Sequence, residues 1–153
     1  MLLWSKISIF FFDMRKAFRI FLILIAGVIL FVACDKEKHR IIPYVPVYLT
    51  INLNIVNELM VPGNSVFFGG QGYGGIVVYC FEPGNVYYAY DGACTHEIST
   101  NCRVKNEGVL ATCPCCGSQF FLMGEAFPSK GPATFPLQQY QTSVMGNIVR
   151  VYN

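Results

Sequence analysis

The chain is poor in charge. Only 13% of its 153 residues are Asp, Glu, Lys or Arg, and the formal net charge is +2. Four of the basic side chains (Lys6, Arg15, Lys16, Arg19) and one acidic one (Asp13) lie in the first 33 residues. The remaining 120 carry seven basic and eight acidic groups, so no basic patch or charge run is left to hold nucleic acid. Histidine is scarcer still, with only His39 and His96. His39 stands between Lys38 and Arg40 in a charged stretch and reads as solvated. His96 alone cannot supply a two-histidine, one-carboxylate iron site. Past Cys34 no window of twelve or more residues has a 3.6-residue apolar period, which excludes a helical domain. A helix-length apolar span is missing too. The run from Ile20 to Ala33 has fourteen residues, whereas crossing a bilayer takes about twenty.

That short run has a different use. Arg15, Lys16 and Arg19 precede it and Cys34 follows it, the layout of a secretory signal. "FVAC" followed by "DKEKHR" resembles the lipobox of bacterial lipoproteins, with Phe31 where such sequences usually carry Leu. The resemblance implies that Cys34 is lipidated and becomes the first residue. Ordinary signal-peptidase cleavage and an uncleaved anchor remain the alternatives. Met14 also opens a complete signal, "MRKAFRIFLILIAG". The expectation is an exported chain held to a membrane on the periplasmic or outer face. Residues 1–33 then form a signal or anchor, 34–44 the lipidated cysteine and tether, and 45–153 one domain, which suits the length.

The exported part reads as all-β. Val45, Val47, Leu49, Ile51, Leu53 and Ile55 alternate with mostly polar neighbours, the period of a half-buried strand. Pro62-Gly63-Asn64 marks a turn and "SVFF" a strand after it. "GIVVYCF" and "VYYAY" flank Glu82-Pro83-Gly84-Asn85 as a hairpin. "GVLAT", "QFFLM" and "NIVRVY" are further short strands. The glycines from Gly69 to Gly75 lack the lysine and the strand-to-helix context of a phosphate cradle, and read as a structural loop. Short strands at this spacing predict a small antiparallel sandwich or open barrel.

Seven cysteines in an exported chain are expected to be paired or metal-bound. Cys80, among Val and Tyr in a strand, reads as a small core residue. Five others crowd the stretch "ACTHEISTNCRVKNEGVLATCPCCGSQF". Cys94, His96, Cys113 and Cys116 form C-x-H-x16-C-x-x-C, two close pairs on two loops. Four such donors suit tetrahedral zinc or an iron–sulfur cluster, and spacing alone does not choose. Asp91 and Glu97 flank the first loop and read as surface turn residues.

The neighbours favour one family. "CTH" and then "CPCCGSQF" resemble the cluster motif of Rieske [2Fe-2S] proteins, C-x-H followed by C-x-x-H-G-S-x-F/Y. Cys94, His96, Cys113, Gly117, Ser118 and Phe120 fall in place, and Gly131-Pro132-Ala133 is similar to the family's proline loop. The resemblance covers roughly residues 45–153. It implies a Rieske-like fold with two cluster-binding loops, in which Cys94 and Cys113 hold one iron and His96 and Cys116 the other. Gly117, Ser118, Phe120 and Pro132 would surround them. Cys116 departs from the pattern, for it stands where the family has its second histidine. A thiolate in place of a neutral imidazole adds negative charge and lowers the reduction potential. The resemblance also suggests a Cys102–Cys115 disulfide, although Cys102 is shifted from the usual position. The alternatives are a free Cys102, or Cys115 in place of Cys116 as the fourth sulfur.

These implications amount to a membrane-tethered one-electron carrier, free-standing or a subunit of an oxidoreductase, with an unidentified redox protein as partner. No independent catalytic activity is expected. The opposing expectation is a degenerate Rieske fold that has lost its cluster and is held by disulfides or a structural zinc.

Overall fold

The computed structural model describes residues 41–153; the signal, Cys34, His39 and the first part of the tether lie outside the described residues. Ten strands follow in chain order: β1 Tyr48–Asn52, β2 Ser65–Phe68, β3 Ile76–Glu82, β4 Val86–Asp91, β5 Lys105–Glu107, β6 Leu110–Thr112, β7 Gln119–Phe121, β8 Pro128–Lys130, β9 Gln139–Met145 and β10 Ile148–Tyr152. Among the described residues one 3-10 turn occurs, at Asn57–Met60. Among the described residues no helix is long and apolar enough to cross a membrane.

The strands make two antiparallel sheets. The larger runs β1-β10-β9-β4-β3-β2 and the smaller β5-β6-β7-β8. Side-chain alternation explains how they stack. In β3, Ile76, Val78 and Cys80 join one core and Val77 and Tyr79 the other. A strand buried on both faces reads as an unbroken apolar run, which is why "IVVYC" shows no alternation. The first core, with Val47, Ile51, Leu53, Val149 and Val151, is lined almost wholly by the larger sheet, which curls around it. Leu59 of the 3-10 turn plugs it, and its carbonyl accepts the Tyr87 hydroxyl at 3.1 Å. Cys80 is a fully buried member of this core.

The second core sits where the smaller sheet packs on the larger. Tyr90, Ala111, Phe120, Leu122 and Leu137 are buried there, and so are Cys94 and Cys113. The cysteine-bearing loops are thus rooted in a core and are not free surface loops.

Two local expectations change. The alternation from Val45 to Ile55 holds for Val47 to Leu53, but Ile55 is 78% exposed. Asn52 ends the strand: its side chain accepts the Asn54 N–H at 3.0 Å, and its carbonyl accepts from Ile55 and Val56. This is the turn-forming habit of Asn overriding an apolar pattern. The smaller sheet also contains β5 and β8, which the sequence did not announce.

Candidate metal centre

Three loops meet at one end of the second core. Loop one, residues 92–104, leaves β4. Loop two, residues 113–118, joins β6 to β7, and loop three, residues 131–138, joins β8 to β9. Loop two is closed by backbone bonds, Cys113 N–H to Ser118 O at 2.8 Å and Gly117 N–H to Cys113 O at 2.9 Å. That tight turn puts Cys113 and Cys116 on one side, as a C-x-x-C step requires. Loop one is pinned by Cys94 N–H donating to Cys102 O at 3.2 Å.

The sulfurs of Cys94, Cys113 and Cys116 lie within 4.8 Å of one another, and none is in a disulfide. Cys94 and Cys113 are fully buried and Cys116 is half-buried, with its sulfur 3.6 Å from that of Cys94. His96 is on the same loop but exposed, and its ring is outside this group of three sulfurs. Its backbone N–H and that of Glu97 donate to the Cys94 sulfur.

Surroundings separate the thiols. Burial pushes Cys94 up to about 12, and the neighbouring thiols of Cys113 and Cys116 add to this against those two N–H groups. At Cys116, partial burial is outweighed by hydrogen bonds from the Ser118 hydroxyl and N–H and from the other two thiols. It is held below the ordinary thiol value. The Ser118 hydroxyl is 3.1 Å from the Cys116 sulfur and accepts the Ala133 N–H at 3.0 Å, so it links loop two to loop three.

Cys102 and Cys115 are joined by a disulfide, with Cα atoms 5.7 Å apart. It ties loop one to loop two and commits Cys115, so Cys116 is the fourth-position sulfur available at the centre. Glu97 is exposed, and its carboxylate lies 3.7 Å from the Cys102 sulfur. That neighbouring group, Glu97 with Cys102 and Cys115, offers no thiolate while the disulfide is closed.

Around the thiols, Gly117 has a φ of +72°, Ser118 is fully buried, and Phe120 is a fully buried floor residue of the second core. Pro132 is exposed; loop three meets the site through its neighbours. Ala133 bonds Ser118, and a Cβ on Gly131 would come within 2.8 Å of the Ser118 backbone and hydroxyl. Thr95 belongs to no ligand position, yet its hydroxyl donates to Phe135 O at 2.7 Å and joins loops one and three. Asp91 requires a correction. It is fully buried, not a surface turn residue, and its carboxylate accepts four hydrogen bonds.

No known protein-family model matches this chain, and no curated protein does. Solved structures match. The plasma-membrane Rieske protein of the cyanobacterium Synechocystis PCC 6803 is 26% identical, with a TM-score of 0.50 over 71% of this chain and 98% of that one. The fold is Rieske-like. A chain in the complex of reduced oxygenase and oxidized ferredoxin in carbazole 1,9a-dioxygenase is 24% identical. Its TM-score is 0.51, over 69% of this chain and 93% of that one, a likeness of fold. The cysteine loops and the loop of Gly131 to Ala133 thus sit together at one end of a Rieske-like domain.

Proposed function

We propose that this chain is a Rieske-type one-electron carrier. In this reading Cys94, His96, Cys113 and Cys116 hold a [2Fe-2S] cluster, and lipidated Cys34 tethers the domain to a membrane. The observation that carries it is the trio of unpaired sulfurs within 4.8 Å, on two loops at one end of a Rieske-like fold. The donor set fits the group: soft sulfurs, two of them buried, with backbone N–H groups at Cys94 and the Ser118 hydroxyl 3.1 Å from Cys116. Bound there, a [2Fe-2S] cluster supplies one-electron redox chemistry.

The chain's own residues define how the centre would behave. Cys94 and Cys113 lie in the core and exclude water from their side. His96 is exposed, so its edge is where a redox partner can come close. In the carbazole 1,9a-dioxygenase complex an oxidized ferredoxin is paired with a reduced oxygenase, and a protein partner of that general kind is the counterpart proposed here. With His96 assigned to the cluster, the described residues hold no second histidine for a two-histidine, one-carboxylate iron site.

Cys116 sets the potential in this reading. A thiolate at that position adds one negative charge, so the potential is expected to lie well below that of quinol-oxidising Rieske centres. Restoring the family residue is the direct test. Cys116→His should raise the midpoint potential and shift the EPR spectrum of the reduced protein. An unchanged potential and spectrum would place the fourth ligand elsewhere and end this assignment.

A further inference from the structure

Asp91 is the last residue of β4, fully buried, and three residues before Cys94. Both its oxygens are fully used. Oδ1 accepts the N–H of Gly74 and of Ala93, each at 2.8 Å. Oδ2 accepts the N–H of Tyr73 at 2.7 Å and the Tyr140 hydroxyl at 2.6 Å. A carboxylate has about four acceptor sites, so this one is saturated.

The four donors come from three places: the glycine-rich loop, the residue beside Cys94, and β9. Other contacts press these pieces together. Gly92 N–H donates to Gly75 O and Val104 N–H to Gly92 O, both at 2.8 Å. A Cβ on Gly74 would overlap the Ala93 backbone, so only glycine lets the two loops lie this close.

We propose that Asp91 is the positioning residue of the first ligand loop, holding Ala93 and therefore Cys94 in place through the glycine-rich loop and Tyr140. This gives the glycine-rich loop its role. It is a brace that presents N–H groups to a carboxylate, and the carboxylate in turn fixes a ligand. Asn at this position would keep the shape but turn an –NH₂ toward at least one backbone N–H donor, so at least one of the four bonds would be lost.

The test reads local release, not activity. Full-length chain is stripped of metal with a chelator and kept free of reductant, so Cys102–Cys115 stays closed. Iodoacetamide labelling of Cys94, Cys113 and Cys80 is then followed by mass spectrometry in the wild type and in Asp91→Asn. Cys80, in the other core, and Cys113, on the other ligand loop, report general opening. The expected result is Cys94 labelling faster by on the order of tenfold, with Cys80 and Cys113 unchanged. Equal acceleration of all three would make Asp91 a residue of general stability, and no acceleration would make it dispensable; either overturns the proposal. Should Asp91→Asn not fold, Tyr140→Phe removes one bond and keeps the carboxylate. It should give a smaller but still Cys94-selective increase, and a non-selective one or none overturns the proposal. Labelling needs no cluster, so a chain that never binds one would end the carrier reading and leave this inference standing.

Discussion

Three neighbouring thiols in this protein are not equivalent. Cys94 and Cys113 are buried in the second core, while Cys116 is half-buried and hydrogen-bonded to the Ser118 hydroxyl. The difference has a sign that can be measured. A thiol held low reacts at lower pH because its thiolate forms earlier; a thiol pushed up by burial reacts only at higher pH. In metal-free chain, the pH profile for alkylation of Cys116 should rise below that of an ordinary thiol. The Cys94 profile should rise well above it, toward the value of about 12 that burial sets. Profiles in the opposite order, followed by mass spectrometry, would mean that the Ser118 contact does not operate in solution. Residue types and spacing singled out Cys94, Cys113, Cys116 and Ser118, which the structure brings together, whereas His96 was expected with them and its ring lies outside the group. Asp91 was not legible from the sequence, because an aspartate beside glycine looks the same at a surface turn as under a brace of N–H groups.

At the scale of elements, the site depends on how loop three closes over loop two. Gly131 has a φ of +92° and packs on Ser118, and Ala133 bonds the Ser118 hydroxyl. Gly131→Ala adds a methyl group where backbone stands and strains a left-handed φ, so loop three should lift. The expected cost is about 1–3 kcal/mol, read as a lower midpoint in urea, with faster cluster loss to a chelator. Unchanged stability and retention would show that loop three is not a clamp.

Elements also mark the limit of reading from sequence. The apolar hairpin of β3 and β4 announced itself. By contrast β5 and β8, Lys105–Glu107 and Pro128–Lys130, are three-residue edge strands with polar or proline-bearing sequences. They are strands because β6 and β7 offer them ladder partners, a tertiary cause with no local signal. Short, charged edges of this kind also discourage pairing with another chain.

Across the described residues, one sheet curls around its own core and three loops cover the end of a second core between the two sheets, with a disulfide tying loops one and two. A Rieske-like scaffold is therefore present, with Cys116 half-buried beside the buried Cys94 and Cys113. The central claim is that it binds a [2Fe-2S] cluster. The most direct measurement is iron and acid-labile sulfide per chain, with visible and EPR spectra, on protein produced with iron and sulfide supplied. The expected result is brown protein with two irons and two sulfides per chain and an EPR signal that appears on one-electron reduction. Colourless protein, carrying one zinc or no metal and silent on reduction, would contradict it.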